Sequence, residues 1–220
     1  MADEAGAAKE AVPLPSPGRP TRRLFGRVPA AGFASLLSGF LITLVIILGA
    51  VTLVLWLVYR PHKPRFYVEG AAVYQLNVTD GSVSSSMQFS VIVANPNRRL
   101  TVHYDRLVAF VRYRGEVITL VTPMANLYEG HRSFAVLSPM VGGNFVPLFP
   151  DAAGGLLADQ AYGLVDLRLE IRGRIRWTTG FWKSSHYHLA AKCDLLLSVK
   201  QVATGGEVPL LGGQDCHVDV

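Results

Sequence analysis

Few side chains in this 220-residue chain have types and spacings that suit chemistry. Cys193 and Cys216 are its two cysteines. Bridged, they would tie a final strand to the carboxy-terminal segment and contribute roughly 3 kcal/mol on the chain-entropy account. Separate thiols are the alternative. His186 and His188 stand two apart, so on a strand they would face one side and could share a metal, but no nearby cysteine or carboxylate set completes a coordination shell. Asn77-Val78-Thr79 has the pattern of an N-linked glycan acceptor. A Gly-x-Ser-x-Gly elbow, a Walker loop and a dinucleotide fingerprint are all absent from the sequence. The chain is therefore not expected to be an enzyme, nor to hold a metal or cofactor.

The remaining charged feature is a row of arginines, and its spacing defines the element that carries it. From Val165 to Trp177 apolar and charged residues alternate with a period of two, the signature of a half-buried strand. Leu167, Leu169, Ile171, Ile175 and Trp177 are expected in a core. Arg168, Glu170, Arg172, Arg174 and Arg176 are expected in solvent. The candidate basic patch Arg168, Arg172, Arg174 and Arg176 could meet an acidic partner, an anionic headgroup or a wall polysaccharide. More simply, it is a solvated face that discourages edge pairing.

Other runs rich in β-branched and aromatic residues, separated by turn residues, are 72–78, 87–94, 107–113, 117–121, 134–138 and 187–199. Their number and spacing predict a β-sandwich. The stretch 141–162 is irregular, has room for a short helix and carries Phe145, Val146, Leu148, Phe149, Leu156 and Leu157. Such an apolar segment could form the mouth of a ligand groove, touch a membrane, or close one end of the sandwich.

Mean hydropathy is +0.30, and the excess is concentrated in one place. No charged residue occurs between Val28 and Tyr59. The apolar run from Phe33 to Tyr59 would make a helix of about 40 Å at 1.5 Å per residue, longer than a hydrocarbon core of about 30 Å. It is too long, and begins too late, for a cleaved signal peptide. The organisation expected is a Pro- and Ala-rich disordered cytoplasmic tail over 1–27, a transmembrane helix over 28–59, a stalk over 60–69, a sandwich over 70–202 and a tail over 203–220. Ala31, Ser35, Gly39 and Thr43 recur every fourth residue and form a candidate face for self-association within the bilayer. Arg19, Arg22, Arg23 and Arg27 precede the helix, against Arg60, Lys63 and Arg65 after it, a small bias toward a cytoplasmic amino terminus. The glycan acceptor and both cysteines lie on the other side, in keeping with an oxidising compartment.

A set of short motifs, in order, points further. Asn95-Pro96-Asn97 is followed by Leu100-Thr101-Val102-His103-Tyr104-Asp105, then Arg112-Tyr113-Arg114-Gly115, Tyr128-Glu129-Gly130-His131, Arg176-Trp177 with Gly180-Phe181-Trp182-Lys183, and Lys192-Cys193-Asp194-Leu195. This series resembles the plant NHL family (NDR/HIN-like proteins), across most of residues 66–200. Family members more often have Gln where Glu129 stands. The resemblance implies a late-embryogenesis-abundant group 2 domain, a fibronectin-like antiparallel β-sandwich held at the plasma membrane behind a short cytoplasmic tail. It also implies a link to plant defence and stress responses.

Asn95-Pro96-Asn97 reads as a turn, since Asn side chains cap backbone amides and Pro fixes φ. With Tyr104 and Asp105 it is assigned to architecture. The function expected is non-enzymatic binding or adhesion outside the plasma membrane. The partners expected are membrane lipid and a protein or cell-wall polymer, with no nucleic acid. The alternative is a lipid-binding or stress-protective domain whose groove is gated by residues 145–157.

Overall fold

A computed structural model describes residues 30–79, 81–180, 182–199, 206–211 and 215–220, with helix side chains described from 35 to 57. The expected tail over 1–27 lies outside these residues. The described residues divide into two units, with the boundary between Leu55 and Trp56.

Helix α1 covers Ala30–Tyr59, and its section Ser35–Leu57, with a mean hydropathy of 2.8, is long and apolar enough to cross a membrane. Every described side chain along that section is exposed. Both of its threonine hydroxyls bond back to the helix: Thr43 Oγ1 donates to the Gly39 carbonyl and Thr52 Oγ1 to the Leu48 carbonyl, both at 2.9 Å. That arrangement leaves no hydroxyl proton of the two threonines to be solvated by hydrocarbon.

The second unit is mainly antiparallel sheet. Strands β1 (Arg65–Thr79), β2 (Ser82–Ala94), β7 (Phe134–Leu137), β8 (Met140–Pro147) and β12 (Gly206–Val208) form one sheet, in which β1 and β2 are central and β7 and β8 share the outer side of β2. The other sheet has the order β13 (His217–Asp219), β11 (Tyr187–Ser198), β9 (Leu164–Thr179), β3 (Thr101–Tyr113). The short strands β4 (Glu116–Val117), β5 (Thr122–Pro123) and β6 (Leu127–Glu129) line the free side of β3, and β10 (Trp182–Lys183) pairs with β9.

Alternation explains the packing. In β2 every second residue from Val83 to Val93 is buried, and β9 supplies Val165, Leu167, Leu169, Ile171, Ile175 and Trp177 to the same core. The buried hydroxyl of Ser85 in β2 donates to the Ile118 carbonyl at 2.9 Å, so the one polar side chain in that row is satisfied. Gly81, at φ +74°, turns the chain between β1 and β2.

Several boundaries differ from those expected. β1 starts at Arg65, within the segment read as stalk, and the carboxy-terminal segment contributes β12 and β13, one to each sheet. Residues 117–121 are not one strand. Ile118 N–H donates to the Val111 carbonyl in one sheet and Leu120 N–H to the Gly142 carbonyl in the other, so this piece crosses between layers. The irregular 141–162 stretch holds part of β8 and helix α2 (Pro150–Tyr162), which starts with Pro at its first position and ends at Gly163 in the left-handed conformation. Helix α2 buries Ala152, Ala153 and Leu156, and Leu148 just before it is buried too. The segment that would have gated an interior groove thus fills that end with its own side chains, while Phe145, Phe149 and Leu157 remain exposed.

Candidate functional site

The densest polar arrangement is built on Asn95-Pro96-Asn97, where β2 ends. Buried Asn95 donates from Nδ2 to the carbonyls of Leu100 (2.8 Å) and Gly130 (2.7 Å), and its Oδ1 accepts from the Asn97 amide (3.0 Å). Asn97 in turn holds the segment leading out of α1: His62 N–H donates to Asn97 Oδ1 at 2.8 Å, and Asn97 Nδ2 donates to the His62 carbonyl at 2.9 Å. The backbone completes the clamp, with Asn95 N–H donating to Ser133 and Arg132 N–H donating to Asn97. The motif is therefore more than a turn. It fastens the 130–133 loop and the 61–64 linker to the end of β2.

Beside it, the Tyr104 hydroxyl donates to Glu129 Oε2 at 3.2 Å, and both side chains are buried. The other carboxyl oxygen of Glu129 has no hydrogen-bond partner. Burial pushes Glu129 up to about 7, against the opposing pull of the Tyr104 hydroxyl and the Ala135 amide. Burial, then the adjoining carboxylate, pushes the Tyr104 phenol far above its usual value. Asp105 lies outside this pair, 3.8 Å from Arg176 and 3.6 Å from His186.

The arginine row has a different environment from the one expected. β9 is not an edge: β11 and β3 flank it on both sides, so its arginines have no edge to protect. Glu170 is buried rather than solvated, because Arg172 (2.7 Å) and Arg112 (3.3 Å) close over it. Arg168 pairs with Asp194 from the adjacent strand. Arg174 is exposed and has no ion-pair partner among the described residues. The face is thus a mixed, largely self-neutralised network, and a cleft of about 430 Å³ on it sets Arg112, Arg114 and Arg168 against Asp159, Asp166 and Asp194.

Cys193 and Cys216 are joined in a disulfide. It links β11 to the carboxy-terminal segment, whose Cys216 N–H also donates to the Phe66 carbonyl of β1. Asn77 is exposed near the end of β1, opposite Ser84. His188 is opposite Arg174, whereas His186 precedes β11. Ser35, Gly39 and Thr43 are exposed on α1; the side chain of Ala31 lies outside the described residues.

The buried states of Glu129 and Glu170 have no local sequence signature, since each depends on a residue of another strand, Tyr104 and Arg112 of β3. The exchange of Gln for Glu at 129 was the single usable signal. Together the geometry describes an exposed apolar helix followed by a β-sandwich whose polar clusters pair with one another. The class is thus a helix-bearing β-sandwich domain of the late-embryogenesis-abundant kind: the family model described as "Late embryogenesis abundant protein" matches residues 90–193. Similar proteins of Arabidopsis thaliana include NDR1/HIN1-like protein 12, at 35% identity over 80% of this chain and 84% of that protein. NDR1/HIN1-like protein 1 is 34% identical over 70% and 75%, and NDR1/HIN1-like protein 10 is 30% identical over 83% and 82%. The chain belongs to the plant NDR1/HIN1-like family.

Proposed function

We propose that this chain is a single-pass plasma-membrane protein of the plant defence and stress responses, which displays its sandwich outside the membrane for binding or adhesion and performs no catalysis. The observation that carries this reading is the fully exposed apolar section Ser35–Leu57, placed directly before a domain with its own closed core. A helix that exposes that much hydrocarbon in water would be covered at once, and a bilayer of about 30 Å matches its length. Membership of the NDR1/HIN1-like family supports the defence and stress assignment.

In this reading the amino terminus is cytoplasmic, the partner of the sandwich is a protein or wall polymer, and the face of Ser35, Gly39 and Thr43 permits lateral self-association. Gly39→Leu should weaken a self-association signal in bilayers. The principal test is fractionation: the full-length chain should stay with membranes through an alkaline carbonate wash. Release into the supernatant would refute the anchor.

A further inference from the structure

A cleft of about 370 Å³ lies between the linker after α1 and the Asn95-Pro96-Asn97 turn. It is lined by Arg60, Arg98 and Arg99 with His62, and no carboxylate lines it. Arg60, Arg98 and Arg99 are exposed and have no ion-pair partner among the described residues. This sets it apart from the cleft lined by Arg112, Arg114 and Arg168, where each arginine has a carboxylate partner in Glu170, Asp159 or Asp194.

The cationic walls are also held together. Arg98 and Arg99 follow Asn97 directly, and the same Asn97 grips the backbone of His62 on both its amide and its carbonyl. Asn95 fixes Asn97 from behind. Two chain segments that like-charge repulsion would separate are therefore held together by neutral hydrogen bonds, which keeps their guanidinium groups beside one cleft. Guanidinium groups suit the paired oxygens of a phosphate.

We propose that this cleft binds a phosphate group, carried by the headgroup of an anionic membrane lipid. The assignment to lipid rests on the reading of α1 as an anchor: Arg60 is the residue next after Tyr59, the end of the helix, and His62 follows two positions on. At no more than about 3.6 Å per residue, the chain itself keeps these side chains within reach of the surface where headgroup phosphates lie.

The test uses the full-length protein in detergent micelles, with native mass spectrometry counting bound molecules of short-chain phosphatidic acid, phosphatidylcholine or, in a separate arm, inorganic phosphate. Phosphatidic acid should bind at least ten-fold tighter than phosphatidylcholine. Arg98→Gln with Arg99→Gln should lower that binding about thirty-fold, from about a factor of five for each basic residue near a charged surface. Arg106→Gln with Lys183→Gln, which removes two exposed charges elsewhere on the domain, should leave it unchanged. Inorganic phosphate binding as tightly as the lipid would keep the phosphate site but overturn its assignment to a headgroup. Equal binding of the two lipids, or equal losses in both double variants, would overturn the site. Unchanged circular dichroism melting of the variants separates loss of binding from loss of folding. Carbonate release of a chain that still binds phosphatidic acid would sink the anchor and leave the cleft standing.

Discussion

Glu129 is a buried carboxyl with one donor too few. Its Oε2 takes the Tyr104 hydroxyl, no well-formed hydrogen bond reaches its Oε1, and burial outweighs the Tyr104 hydroxyl and the Ala135 amide to hold its proton up to about 7 instead of the ordinary 4.5. The folded state thus binds this proton more tightly than the unfolded chain, so its effect on stability has a definite sign. Below about 4.5 both states are protonated and there is no penalty. Stability then declines as pH rises toward 7, by on the order of 3 kcal/mol, and stays reduced above it. Glu129→Gln should remove this slope and make the domain more stable at pH 8, which melting curves between pH 4.5 and 8 will show; a slope retained in the variant would mean other groups set it. Asn95 gives a second expectation. Removing its side chain deprives the carbonyls of Leu100 and Gly130 and the amide of Asn97 of partners, so Asn95→Ala should cost about 2 to 4 kcal/mol in denaturant unfolding.

At the scale of elements the carboxy-terminal segment is the informative one. β13 is three residues long and too short to persist alone, yet besides its pairing with β11 it is retained by the Cys193–Cys216 bridge, the Lys192–Asp219 ion pair at 3.4 Å, the Lys63 ammonium on the Val218 carbonyl and the Cys216 amide on Phe66. The bridge is the strongest of these. Cys216→Ser should lower stability by about 3 kcal/mol and speed amide exchange across 215–220 far more than in β2. Mass-resolved hydrogen exchange with and without reductant will measure both effects, and equal exchange in the two forms would show that the other contacts suffice. Legibility follows the same division. β9 was readable because thirteen successive positions alternate on their own account, and the long apolar helix because its composition is uninterrupted. β12 and β13 were not, since three-residue strands depend on partners far away in the chain. The crossing piece 118–120 looked like strand because apolar β-branched residues serve equally well to bridge two sheets. At the candidate site, Asn95-Pro96-Asn97 announced a turn, but its grip on His62 links positions 35 apart and has no local signature. Glu170 departs from the pattern for the same reason: alternation alone assigns it to solvent, whereas Arg112 on β3 and Arg172 make its burial tolerable.

For the whole molecule the open question is which side of a membrane the sandwich occupies, and local charge barely decides it, with four arginines before the helix and three basic residues soon after. Asn77 offers a direct reading. It is exposed, twelve positions along β1 from Arg65, which at about 3.3 Å per residue puts it roughly 40 Å along the strand from where the domain begins. The acceptor nitrogen is therefore free of the core and of the clamp at the other end of β1. Glycan addition requires the same lumenal compartment that permits a stable disulfide. If the sandwich is translocated, a glycosidase should increase the mobility of the wild-type chain and leave Asn77→Gln unaffected, while Cys193 and Cys216 resist alkylation until reduced. A chain without the shift, whose two cysteines alkylate freely, would place the domain in the cytoplasm. In either orientation Arg60 directly follows the end of α1, so the glycosidase experiment assigns the leaflet that the Arg60, Arg98 and Arg99 cleft would face, and the lipid-binding experiment separately assigns its ligand.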